Sequence, residues 1–407
     1  MRKYLLLFIL CSLPHIVLAQ AEVEKQIQTK LIMVADGETV QLPEGAFQIQ
    51  GSLSMDGKKR VTIKGAGKDK TILNFKGQTE GAEGIRITDG QDILLEDFSV
   101  VDAKGDAIKV QKVDGITFRN IKTAWTAKGS EKNGAYGLYP VQCTRVLIEG
   151  SEAIGASDAG IYVGQSDRVI VRKSRAFQNV AGIEIENTTN AEVYDNESTG
   201  NTGGILVFDL PGLLKKQGGM VRVYNNHIHN NNYRNFAPKG NMVATVPAGT
   251  GVIVLATSGV EITGNRIEGH KTVSVAIASY LMTEIPIQDK EYNPFPANIF
   301  IHKNTYQQSR STPDLKNRMG QLFMLKFRRK TPHIVYDGIL NPTLTGSDGQ
   351  YKPEHRVCVL ENNIRFANLD AGNKFKKLTI NPPQMRCELP KINVAVLSDK
   401  ASYHPRR

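Results

Sequence analysis

A chain of 407 residues, 40% hydrophobic and 22% charged, is long enough to bury a large core and too apolar to stay disordered. Its net charge of +11 is unevenly placed: residues 303–407 carry 19 Lys and Arg against 8 Asp and Glu, while residues 21–302 are near neutral. Neither CxxCH nor a paired CxxC occurs, which excludes covalent haem attachment and a zinc ribbon.

The chain opens MRKYLLLFILCSLPHIVLAQ. A basic start at Arg2 and Lys3, an apolar run and a small residue at Ala19 predict a signal peptide over residues 1–20, and with it export to the periplasm or beyond. Leu10 stands where a lipoprotein would place a small residue before Cys11, and no run after processing is long enough to span a bilayer. Export argues against nucleic acid as the counterpart of the basic quarter. An acidic polysaccharide, an acidic protein, a membrane surface or plain solvent is expected there instead. Residues 21–35 read as a lead-in, and the irregular β-like text from Glu38 as a cap over the first coil.

Beyond this cap a period emerges. Gly160, Gly182 and Gly204 fall 22 residues apart, and each opens a short alternating apolar run. A second run follows each of the first two, as in Val169–Val171 and Ala191–Tyr194, with small and amide residues between. Self-similarity of this length, without helical periodicity, predicts an all-β solenoid. Its expected form is a right-handed parallel β-helix over residues 21–308, in coils of about 22 residues. Segments near 124–135, 209–217 and 230–248 break the period and are expected to project as insertions. Asn120, Asn196, Asn226, Asn265 and Asn304 close comparable strands and are expected to stack as a ladder at one corner. Past Gln308 the period stops, so residues 309–407 read as a basic C-terminal cap or extension. Cys358 and Cys387 are expected to form a disulfide there, with Cys143 left over.

In stacked parallel coils one register position becomes a column on the surface, its rungs about 4.8 Å apart. Alternation sends Ile161, Val163, Ile183, Ile185, Ile205 and Val207 inward and leaves an outward column of Arg86, Lys109, Tyr139, Tyr162, Glu184 and Leu206. A parallel column carries Thr88, Gln111, Val141, Gly164, Glu186 and Phe208, with Gln142, Gln165, Asn187 and Asp209 beside it. Cations, phenols and carboxylates in this order suit a groove for an extended anionic sugar chain. Arg86, Lys109, Tyr136, Gln142, Gln165 and Glu186 are the candidate binding residues, and Tyr139, Tyr162, Glu184 and Asp158 the candidates for proton transfer. A tyrosine base would need nearby cations to lower its pKa from near 10. The same columns also read as the ordinary polar exterior of a solenoid. His227 and His229 lie on one strand face, yet an exposed turn accounts for them better than a metal does. No calcium-loop motif occurs, so no cofactor is expected, although folding can still gather calcium ligands.

The stretch AYGLYPVQC at 135–143 resembles the YGFDPHD motif of bacterial alginate (mannuronan) C5-epimerases, which are right-handed β-helices. Tyr136, Gly137 and Pro140 match, whereas the catalytic aspartate falls on Tyr139, the histidine on Val141 and the second acidic residue on Gln142. The following SDAGIYVGQS is similar to the second epimerase motif at Asp158, Gly160, Ile161 and Tyr162. This resemblance implies a carbohydrate groove but not the epimerase proton-transfer set. The chain as a whole, through SDAGIYVGQS, AGIEIENT and GGILVFDLPG, is more closely similar to exported bacterial parallel β-helix repeat proteins of unassigned activity. Membership there implies a neighbouring dihaem c-type cytochrome as a partner and brings no reaction with it. The sequence therefore leaves two expectations: a protein that binds or modifies an acidic polysaccharide by lyase- or epimerase-like chemistry, or a non-catalytic accessory protein that docks such a cytochrome.

Overall fold

The structure, a computed structural model, describes residues 13–308 and 310–394. The signal peptide expected over residues 1–20 falls largely outside them. Among the described residues, strands assemble into three sheets of eleven, ten and twelve strands, visited in rotation by successive parts of each coil. Pairing within the sheets is parallel until the last pair, where Thr379–Ile380 runs antiparallel to Ala367–Asn368. The glycine period marks strands of the third sheet: Ala159–Gly164, Ala181–Glu186 and Gly203–Phe208. Ile161, Ile183, Ile205, Val252 and Val275 stack in register and are fully buried. β-Branched side chains dominate this stripe because they fit a pleated surface packed from within.

Turning the chain at each corner takes backbone N–H groups out of the sheets, and side chains accept them. At the first corner Ser174 N–H donates to Asn196, Asn196 to Asn226, Asn226 to Asn265 and Asn265 to Asn304, all at 2.9–3.0 Å. Glu361 accepts from Asn304 N–H and ends the row. Ser151 and Ser174 occupy the earlier rungs. Asn120, expected among them, lies one residue before the rung taken by Ile121; its φ of 51° turns it outward, where it bonds to Asp97. A second row, Asn179, Asn201 and Asn231, runs beneath the strands of the third sheet and ends on His270.

Both ends of the stack differ from expectation. The lead-in forms a helix, α1 (Leu13–Met33), whose Ile27 and Leu31 are buried against the first coil. Gln28 accepts from Ser54 N–H at 2.8 Å and donates to Ser54 C=O at 3.1 Å, so one amide satisfies both groups of that edge residue. At the other end the stack does not stop at residue 308. Ile334–Tyr336 and then Phe366–Asn368 add to the third sheet, and Val357–Leu360 adds to the first. Long loops and a second helix, α2 (Arg318–Phe327), separate these strands and hide the period. Cys358 and Cys387 are joined, their Cα atoms 4.9 Å apart. Cys143 is a buried free thiol, pushed up to about 12 by burial. Among the described residues no helix is long and apolar enough to cross a membrane.

Asn201 accepts from both nitrogens of Asn179 and donates to Ala176 C=O within the core. Asn201→Ala leaves buried groups unpaired and should lower unfolding free energy by about 2–3 kcal/mol. Asn120→Gly, outside the ladder and at ease with the positive φ, should cost less than about 1 kcal/mol. Chemical denaturation of the two variants makes the comparison, and equal losses would refute the ladder as the stabilising device.

Candidate functional site

The outward columns of the third sheet form in the expected register. Arg86 pairs with Lys109, Lys109 with Tyr139, and Tyr162 with Glu184 and then Leu206. Gly164, Glu186 and Phe208 stack beside them. They do not lie in an open groove, however. From Ala159 to Ala278 every strand of this sheet is buried on both faces. A second apolar cluster covers the outer face, with Phe236, Val243 and Val246 from the 230–248 insertion and Phe323 and Phe327 from α2. Sequence alternation identified the outward positions correctly but could not show that distant segments fold back over them.

The result is a row that passes from solvent into the protein. Arg86 is exposed, Lys109, Tyr136 and Tyr139 are half-buried, and Tyr162 and Glu184 are 4% and 2% exposed. The three tyrosines form a triangle: ring centroids of Tyr136 lie 4.5 Å from those of Tyr139 and Tyr162, and Tyr139 meets Tyr162 edge-on at 4.9 Å. Lys109 Nζ lies 5.1 Å from the Tyr139 ring centre and 3.9 Å from Glu83. The Tyr162 hydroxyl donates to Glu186 at 2.6 Å. Gly164 makes that contact possible, since a Cβ there would collide with the Tyr162 hydroxyl.

Four carboxyls gather around the triangle with little positive charge to balance them. Burial pushes Asp158 up to about 7, with Glu186 and Asp106 adding to the rise, while Asn241 (donating at 3.0 Å) and Tyr136 oppose it. Glu186 also rises to about 7 through burial and the charge of Asp209, against its bond from Tyr162. Asp106 rises to about 6, mainly by burial, with Glu83 raising it and Lys109 restraining it. Glu184 is driven well above the usual carboxylate range by burial and by Asp158 and Glu186, and its Oε2 has no partner. The shift favours its protonated form, the direction opposite to the one a carboxylate base needs. Burial and Asp106 also raise Tyr139, the direction opposite to the one a tyrosine base needs.

Gln142 and Gln165 stand apart from the triangle. They line a separate cleft of about 370 Å³ with Asp167, Leu214 and Lys215, and Gln165 accepts from the backbone of Leu214. Asp209, expected beside the second column, joins the acid cluster through Glu186, whereas Asp106 and Asn241 belong to it but escaped sequence reasoning. Asp106 precedes a strand just as Asp158 does, a parallel that was visible; Asn241 sits in an insertion with no pattern to mark it. Among the described residues no set of three or more His, Cys, Asp or Glu is arranged to hold a metal. His227 and His229 stack on each other and contact Glu268 and Glu197.

Asp158 and Glu186 have folded pKa values above their unfolded ones, so between about pH 4 and 7 the folded state holds more protons than the unfolded state. Stability should fall as pH rises through this window. The melting temperature should drop by several degrees from about pH 5 to pH 8, and an Asp158→Asn, Glu186→Gln variant should show a flatter profile. A variant profile as steep as the parent's would mean that these carboxyls are ionised in the fold.

No curated protein sequence matches the chain. Among solved structures, the A-module of mannuronan C-5 epimerase AlgE6 from Azotobacter vinelandii is 17% identical, with 84% of this chain and 88% of that chain covered and a TM-score of 0.47. An alginate lyase from Paenibacillus sp. str. FPU-7 is 13% identical, with 70% and 96% covered and a TM-score of 0.45. A DFA-IIIase from Arthrobacter chlorophenolicus A6 is 11% identical, with 79% and 87% covered and a TM-score of 0.49. Residues 60–212 match the family model described as right handed beta helix region, and with three parallel sheets wound in rotation the chain is a right-handed parallel β-helix.

Proposed function

We propose that this is an exported enzyme that processes the end of an acidic polysaccharide by carboxyl-based acid–base chemistry. The observation that carries the reading is the set of carboxyls raised to about 6–7 around the tyrosine triangle, with Asp106 at its half-buried end and Asp158 and Glu186 buried behind it. A catalytic acid or base works best with a pKa near the working pH, and burial supplies that tuning here. Asp106, the lowest of the set and half-buried, accepts the proton. Tyr139, held protonated, donates to the departing or developing oxygen. Asp158, Glu184 and Glu186 behind them hold and share protons, which keeps the pocket from accumulating negative charge against an anionic substrate.

Arg86 and Lys109 at the open end pair with carboxylates of the sugar chain, and the tyrosine faces stack on its rings. Because the row is closed beyond Tyr162, the chain enters by its end. The leader read at residues 1–20 supports export. A panel of polyuronates and neutral glycans, assayed for unsaturated ends, reducing ends and C5 proton exchange, tests the reading. We expect turnover of a polyuronate with mono- or disaccharides as the first products. Asp106→Asn and Tyr139→Phe should each lower kcat/KM by roughly 100-fold or more with the fold intact. Inertness toward every glycan would sink the enzyme reading, and long oligomers as first products would sink entry by the chain end.

A further inference from the structure

The excess positive charge of the C-terminal quarter is drawn together by the fold. Lys326, Arg328, Arg329 and Lys330, on α2 and just beyond it, are exposed. Arg365, distant in sequence, donates from its guanidinium to Lys330 C=O at 3.0 Å, which brings it to the same place. Lys326 lies 5.4 Å from the centre of the Phe375 ring, and Phe375 stands between exposed Lys374, Lys376 and Lys377. Three segments thus place eight cations on one end of the solenoid, and among the described residues none of the eight forms a salt bridge. The acid in their midst, Asp370, is occupied as an acceptor for Lys377 N–H and the Asn373 amide.

An apolar side chain interrupts this charge. Leu325, next to Lys326 on α2, is 78% exposed, and Ile380, on the strand paired with Phe366–Asn368 just after Arg365, is 38% exposed. We infer that this end of the molecule docks on an anionic lipid surface, with the basic side chains on the headgroups and Leu325 reaching the acyl boundary. Polar sugars give an exposed leucine nothing to bury against, whereas a lipid interface takes both signals, charge and apolar area, on one surface. Each cation held near an anionic leaflet multiplies affinity by roughly fivefold, and salt screens the attraction. The inference is independent of the acid cluster and of any reaction there.

Co-sedimentation of the full chain with vesicles tests it, using phosphatidylcholine alone and phosphatidylcholine mixed with phosphatidylglycerol, at low and high salt. Binding is expected to the mixed vesicles only, weakening steeply with salt. Lys374→Glu, Lys376→Glu and Lys377→Glu together should lower affinity by about 100-fold or more. Leu325→Gln should weaken binding by roughly threefold to tenfold without changing its salt dependence. Equal binding to both vesicle types, no binding to either, or unchanged affinity in both variants would overturn the proposal. Retention on soluble alginate but not on vesicles, lost in the triple variant, would also overturn it and assign the surface to a polyanionic glycan. The salt dependence and lipid selectivity of the parent protein stand even where a variant fails to fold.

Discussion

The structure depends on one constraint: every coil must turn three corners, and each turn strands buried backbone N–H groups that no sheet partner can reach. Asn196, Asn226, Asn265 and Asn304 answer this at one corner and Asn179, Asn201 and Asn231 at another. A carboxamide suits the position because its oxygen accepts from an N–H of the coil before it while its N–H2 donates to a C=O of that earlier coil and to the amide oxygen of the next rung, as Asn226 does with Val193 and Asn265. Each rung is set by the next, so register is fixed along the stack. That fixed register is what lets Arg86, Lys109, Tyr139, Tyr162 and Glu184, far apart in sequence, form a single row.

The acid cluster follows from two features acting together. Stacking places Glu184 and Glu186 on the same strand as near neighbours of Tyr162 and Asp158, and the insertions then remove the solvent that would have let all of them ionise. With Lys109 the nearby cation and Glu83 competing for it, protons become the cheapest counter-charge. A buried acid cluster under a roof, its carboxyls shifted toward their protonated forms, is a different object from the open charged groove expected of such a row.

Much of the fold was legible because a solenoid writes its geometry as a period. The spacing of Gly160, Gly182 and Gly204 and the alternation around Ile161 and Ile183 gave strand, face and column together. The signal failed where one residue of phase mattered, as at Asn120, and where pairing resumed after long detours, as at Ile334 and Phe366. At the site, the column residues could be read by counting. The roof could not, because Phe236 and Phe323 reach the third sheet through tertiary packing that no local pattern encodes. Burial in turn decides protonation, so the roles of Glu184 and Tyr139 were beyond reach of the sequence even though their positions were not.

The amide of Gln28 carries a consequence of its own. An exposed first coil is a template on which another chain can add strands, and parallel β-solenoids offer that template over the whole cross-section. By satisfying both backbone groups of Ser54, Gln28 serves as a terminating rung, and Glu24 does the same for the N–H groups of Gln50 and Gly51. All of these contacts, with those of Ile27 and Leu31, lie beyond residue 20. A chain beginning after residue 20 would keep this stopper whole, and with it a covered edge on the first coil.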